Sequence, residues 1–236
     1  MKKISASIAF LLLLTVFSVG THAQTVDEIV NKHIEARGGI DKIHAIKSVV
    51  MDGTLFQMGN EIAMKFYQVQ NKATKVEFTV MDQTGYNIIT TTNGWAYNPF
   101  AGNTSAEPLP EDQVKMAQAN LDIQGPLVDY QSKGSKIEYL GKEKINNVDC
   151  FKLKVTRSNG KAGTYYLDNN YLIVKTITTA LANGAEQEVT TEYSDYKKTA
   201  DGYLVSYKRT STTGDITFSK IEFNTTIADD VFKPSN

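Results

Sequence analysis

IAMKFYQV (Ile62–Val69) and TKVEFTV (Thr74–Val80) decide how this chain folds. In the first, Ile62, Met64 and Phe66 alternate with Ala63, Lys65 and Tyr67. In the second, Val76, Phe78 and Val80 alternate with Lys75, Glu77 and Thr79. A period of two, apolar then polar, marks an antiparallel strand with one face on a core and the other in water. Turn-forming residues flank both runs, at Met58-Gly59-Asn60, Gln70-Asn71-Lys72, Gln83-Thr84-Gly85 and Asn93-Gly94. Residues 48–98 therefore read as a meander of about five strands.

Beyond this meander the period is lost and then returns. Pro99, Pro108 and Pro110 flank a Gly/Asn/Ser loop, and Glu111-Asp112 open a helix, where acidic side chains meet the unpaired amides of a first turn. That helix has a thin apolar face, Val114, Ala117 and Leu121, which predicts either a movable cover or a loosely packed connector. Pro126 starts a second short helix or turn through Leu127, Val128 and Tyr130. From Lys136 the strands resume, with turns at Ala200-Asp201-Gly202 and Thr213-Gly214-Asp215, giving about ten or eleven strands in all. Upstream of the meander, Thr25 and Glu28 have capping-box spacing, and Val26, Ile29, Val30 and Ile34 follow on one helical face. Gly38-Gly39 ends this helix, and Ile40, Ile43 and Ile46 mark a shorter one. The expected class is mainly β (α+β): a curved antiparallel sheet covered by N-terminal and mid-chain helices.

Residues 1–23 read as an export signal. Met1-Lys2-Lys3 is a positive start, Ile8 to Val19 is an apolar run too short to span a bilayer comfortably, and Thr21-His22-Ala23 supplies small residues before a cut at Gln24. No cysteine stands at the cut to carry a lipid, so residues 24–236 are expected as a single soluble domain in an extracytoplasmic space. The formal charge of −1 becomes more negative once Lys2 and Lys3 are gone, which argues against a nucleic-acid partner. The one cysteine, Cys150, has no partner for an internal disulfide and lies in the strand-like run VDCFKLKV, where a buried small hydrophobe is expected.

Several elements together resemble the LolA/LolB-like lipoprotein-carrier superfamily, closest to its exported outer-membrane lipoprotein-sorting members. They are Gly38-Gly39 with Ile40, Ile43 and Ile46; Asn93-Gly94-Trp95-Ala96-Tyr97-Asn98-Pro99; Tyr165-Tyr166-Leu167-Asp168; YSDYKKTADGY from Tyr193 to Tyr203; and Asp230-Val231-Phe232-Lys233-Pro234. The resemblance implies an incomplete β-barrel around an apolar cavity, with helices as a lid and acyl chains bound without covalent chemistry. It implies a periplasmic carrier or chaperone working towards the outer membrane. Carriers of this kind latch the lid with an arginine on an early strand. Here the only arginines are Arg37, Arg157 and Arg209, none within 48–98, so either the lid is held differently or the chain is not a cycling lipoprotein carrier.

Independently of the resemblance, Ile62, Met64, Phe66, Val76, Phe78 and Val80 share faces of neighbouring strands, and Trp95 and Tyr97 share a face of the next. Lining a curved sheet, they would leave an apolar pocket suited to alkyl chains; packed under helices, they would be core. With Ile88 from the strand between, and Val114 and Leu121 from the covering helix, they are the candidate cavity residues. Trp95 is singled out because it falls next to the Pro99 loop at the expected cavity mouth.

Catalytic signals are weak. His33 and His44 lack zinc-ligand spacing, and no G-x-S-x-G, H-E-x-x-H or phosphate-loop pattern occurs. Asp168 reads as a turn former, Glu111-Asp112 as a helix start, and Asp229-Asp230 as a turn before a last strand. No catalytic residue, metal or cofactor is expected. Three functions remain open: a monomeric carrier of lipoprotein acyl chains or other lipids, an envelope sensor that binds a protein partner through the same fold, and a hydrolase with an unrecognised site.

Overall fold

The computed structural model describes residues 24–182 and 185–235, so the expected export signal lies outside the described residues. The chain opens with α1 (Val26–Ala36) and α2 (Ile40–His44). It then forms β1 (Ser48–Gln57), β2 (Asn60–Val69), β3 (Ala73–Val80), β4 (Gln83–Thr90), β5 (Gly94–Tyr97) and the two-residue β6 (Glu107–Pro108). After α3 (Glu111–Gln118) come β7 (Lys136–Ile145), β8 (Val148–Thr156), β9 (Ala162–Leu167), β10 (Ile173–Ala182), β11 (Ala185–Lys198), β12 (Leu204–Ser211) and β13 (Gly214–Phe223).

Local chemistry accounts for the helix ends. Thr25 Oγ1 accepts from the Glu28 amide at 3.2 Å while Glu28 Oε2 accepts from the Thr25 amide at 3.0 Å, closing the capping box. At the other end Gly38 and Gly39 take φ of 122° and 93°, a region costly for any residue with a Cβ. Between these ends α1 buries Ile29, Val30, His33 and Ile34 against Phe151, Leu153, Val155, Tyr165 and Leu167 of β8 and β9 and against Leu127 and Val128.

All strands join one antiparallel sheet in the order β6-β5-β4-β3-β2-β1-β13-β12-β11-β10-β9-β8-β7. Every neighbouring pair is consecutive in sequence except β1 with β13, so two meanders meet at one long-range seam. The sheet is open, with β6 and β7 as free edges. Among the described residues it holds thirteen strands, more than the ten or eleven expected, and several of its turns need only two residues. One of these corrects the sequence reading: the chain reverses at Met81-Asp82, both at positive φ, so Gln83-Thr84-Gly85 already belong to β4. Pro126 to Tyr130 forms turns without a helix, and Asp229–Phe232 is a 3-10 turn that no strand follows among the described residues.

Pairing register fixes which side chains share a face. Val49 and Met51 of β1 face Phe223 and Ile221 of β13, Met51 pairs with Phe66 of β2, and Phe66 with Val76 of β3. This inner face carries α1 and α3. On the outer face Lys75 pairs with Ile88, Ile88 with Trp95 and Tyr86 with Tyr97, and Ile227, Val231 and Phe232 cover this group.

Candidate functional site: a strapped cavity with an arginine wall

Residues 111–126 cross the inner face as a strap. Val114 of α3 packs on Gly94, where an added Cβ would come within 2.9 Å of the valine. This is why a residue without a side chain occupies that point of β5. Beyond α3 the strap is held by polar side chains from three directions. Gln68 Nε2 donates to the Asn120 carbonyl at 2.5 Å, Gln70 Oε1 accepts from the Ile123 amide at 2.6 Å, and the Asn71 amide donates to Leu121 O at 2.9 Å. From the other meander Arg157 donates to Ala119 O at 3.2 Å, and from the end of α1 Arg37 donates to Gln124 O at 2.8 Å.

Between strap and sheet lies a cavity of about 860 Å³, within the span of small-molecule sites, roughly 300–1,000 Å³. Its walls differ. Val49, Met51, Ile221 and Phe223 from the β1–β13 seam, with Ile123 of the strap, make an apolar side. Thr176, Thr178, Thr191, Tyr193 and Arg209 from β10, β11 and β12 make a side of hydroxyls and cationic charge. Arg37 and Arg157 line it as well, so all three arginines of the chain meet here.

The electrostatics follow from burial. His33 Nδ1 lies 2.7 Å from the Tyr171 carbonyl oxygen, and desolvation with the nearby Arg37 charge lowers its pKa to about 3. It is therefore neutral, with its proton on Nδ1. Burial raises the Tyr196 phenol far above its ordinary value, and its hydroxyl donates to Ile173 O at 2.6 Å. Burial also lowers the pKa values of Arg37 and Arg209, which nonetheless stay cationic near neutrality. Asp122, the one carboxylate in the lining, pairs with Lys133 at 2.7 Å, while Lys115 turns to Glu111 at 2.5 Å.

The candidate residues read from sequence divide among three places. Ile62, Met64, Phe66, Val76, Phe78 and Val80 are half-buried on the inner face, and none of them is in the cavity lining. Phe66 meets the Phe218 ring at 5.7 Å, and Phe78 the Phe100 ring at 6.2 Å. Ile88, Trp95 and Tyr97 point the opposite way and pack under Phe232 on the outer face. Val114 and Leu121 are buried in the strap. The cavity lining itself comes largely from the other meander, the seam and residues 118–126. The three arginines were its one signal in the sequence: a chain with 25 basic side chains uses arginine only at these positions.

Other readings from sequence also find their places. Cys150 is fully buried. Asp168 Oδ1 accepts from the Asn170 and Leu172 amides, both at 2.9 Å, as a turn former does. His44 reaches Asp129 at 2.6 Å on the surface. Among the described residues, no helix is long and apolar enough to cross a membrane.

No protein-family model and no curated protein matches the chain. Solved structures do. A DUF1329 family protein from Desulfovibrio piger ATCC 29098 superposes with a TM-score of 0.60 at 11% identity, over 88% of this chain and 97% of that one. A LolA superfamily protein from Nitrosomonas europaea gives 0.57 at 12%, over 89% and 98%. An outer-membrane lipoprotein-sorting protein domain from Vibrio parahaemolyticus gives 0.53 at 17%, over 88% and 97%. At these identities the likeness concerns the fold, and the fold is LolA-like: an open, curved antiparallel sheet with helices.

Proposed function

We propose that this protein binds acyl chains, those of lipoproteins or of other lipids, in the cavity beneath the strap, and carries them through an extracytoplasmic space without covalent chemistry. The observation that carries this reading is the cavity of about 860 Å³ beneath a strap that buries few apolar side chains and is held by many polar ties. Each acyl methylene transferred from water to such a site contributes about 0.8 kcal/mol, so a chain binds firmly without a chemically specific pocket. Polar ties exchange readily with water, which suits a cover that must admit a long ligand. The LolA-like fold and the signal-like residues 1–23 support the extracytoplasmic setting.

The test is native mass spectrometry of the protein purified from its own cell envelope, with organic extraction of any bound mass, followed by titration with a fluorescent fatty acid. A co-purifying lipid or acylated peptide that the fatty acid displaces is the expected result. Protein that is empty and also takes up no acyl chain would remove the carrier reading. A second reading, an envelope module that binds a protein, draws on one observation. Met58 and Met81, 95% and 93% exposed, sit on the β1–β2 and β3–β4 turns at one end of the sheet, near half-exposed Phe56 and Phe100. A stable complex with an envelope protein, formed by lipid-free material, would favour it.

A further inference from the structure

Arg209 is placed as few cations are. It lies on the inner face of β12, opposite Tyr193 of β11 and Ile216 of β13. Its guanidinium carbon stands 4.8 Å from the Phe218 ring centroid and 5.9 Å from that of Tyr193, so two aromatic faces hold it in place. Its Nε is buried without a hydrogen-bond partner, and it is the one buried side-chain polar atom so left among the described residues. No arginine enters an ion pair among the described residues; the ion pairs all use lysine or His44. Arg37 and Arg157 spend a donor each on strap carbonyls, whereas Arg209 makes no hydrogen bond to the described residues.

A buried donor without a partner is unfavourable, and more so when it is charged. The surrounding charges do not relieve it, because Asp122 is already matched by Lys133. The cavity therefore holds a surplus of positive charge facing an apolar wall of Val49, Met51, Ile221 and Phe223. A guanidinium presents parallel N–H groups that fit two oxygens of one carboxylate or phosphate. Tyr193, Thr176 and Thr191 place hydroxyls on the same side of the cavity.

We propose that the ligand of this cavity is an anionic amphiphile, whose carboxylate or phosphate head seats on Arg209 and whose chain runs along the apolar wall of the β1–β13 seam. This rests on the acyl-chain reading above and adds to it a requirement for head-group charge. An acyl chain alone satisfies the apolar wall and leaves Arg209 as it stands. An acidic head supplies the acceptor that the protein withholds.

The test is competition against a neutral polarity-sensitive dye by four sixteen-carbon probes: hexadecanoate, monohexadecyl phosphate, hexadecanol and hexadecyltrimethylammonium. Each is used below its aggregation concentration. The expected result is binding of one or both acids at least about tenfold tighter than the alcohol, with the cationic probe weakest. The better acid identifies the head group. Arg209→Met should bring the acids down to the level of the alcohol, and Arg209→Lys should keep part of the preference. Equal binding of acid and alcohol by the unaltered protein would overturn the head-group proposal while leaving the acyl-chain reading intact, and this comparison needs no variant to fold. Failure of all four probes to bind would remove both. An acid preference that survives in folded Arg209→Met would also overturn the assignment to Arg209.

Discussion

The imidazole of His33 is 2% exposed, and its Nδ1 meets a backbone carbonyl. Charging the ring would place a second cation beside Arg37 with no carboxylate to receive it. The unfolded chain carries the same histidine at its ordinary pKa of 6.5, whereas the folded protein resists protonation down to about 3. Within that window the unfolded state binds more protons, so stability is full above pH 6.5 and falls as the pH drops towards 3, by up to about 1.4 kcal/mol per pH unit. Every other titrating group is common to the parent and to His33→Asn, so the difference between the two isolates this histidine. Urea unfolding of the parent protein should therefore show a midpoint that falls between pH 6.5 and 5 more steeply than that of His33→Asn. Matching slopes in the two proteins would mean that His33 is not the group responsible. Arg209 belongs to the same scale: both residues accept an unfavourable local environment at the cavity wall, one by giving up its charge and the other by keeping it.

At the scale of elements, the strap is held by side chains reaching its backbone amides and carbonyls. α3 contributes one buried residue, Val114, and the segment after it depends on Gln68, Gln70, Arg37 and Arg157. A hydrogen bond from a charged donor contributes about 1.5–3 kcal/mol, so Arg157→Gln should speed amide exchange in residues 111–121 by roughly ten- to a hundredfold. Amides of β8 and β9 should keep the parent rates, as read by hydrogen-exchange mass spectrometry. Unchanged exchange in α3 would mean that Arg157 does not hold the strap and that the other polar ties and packing do. Legibility in the sequence divides along the same line. The α1 cap and the alternation in β2 and β3 were readable because each is written in neighbouring residues. The inner face of β4 and β5 was not, because both faces of this region are covered. α3 lies on one side and residues 227–232 on the other, and Lys75 is buried on the outer face with its ammonium 4.7 Å from the Tyr86 ring. Ile88, Trp95 and Tyr97 thus look like cavity residues in sequence and pack under Phe232 in the fold. The strap's arginines come from the end of α1 and the end of β8, and only the tertiary structure brings them to it.

For the whole molecule, the consequence of an open sheet is two unpaired edges, and each is guarded differently. β6 is two residues long and ends in Pro108, which has no N–H to offer a neighbour. β7 is ten residues long and would be a good template for another strand, with Leu140 half-exposed. Its defence is charge and distortion: Lys136, Glu138, Lys142, Glu143 and Lys144 face solvent, and the register slips between Tyr139 and Lys142, where Gly141 takes φ of 91°. A bulge of this kind twists an edge away from a flat partner, and exposed lysines repel a second copy of themselves. The parent protein is accordingly expected to sediment as a monomer. Lys136→Val combined with Lys144→Val leaves the bulge in place but removes a cation on each side of it. The double variant should form dimers or larger species in sedimentation velocity at loadings where the parent remains a single species. A double variant that stays monomeric would assign the protection to the bulge, and a parent that is already dimeric would mean that β7 is an interface.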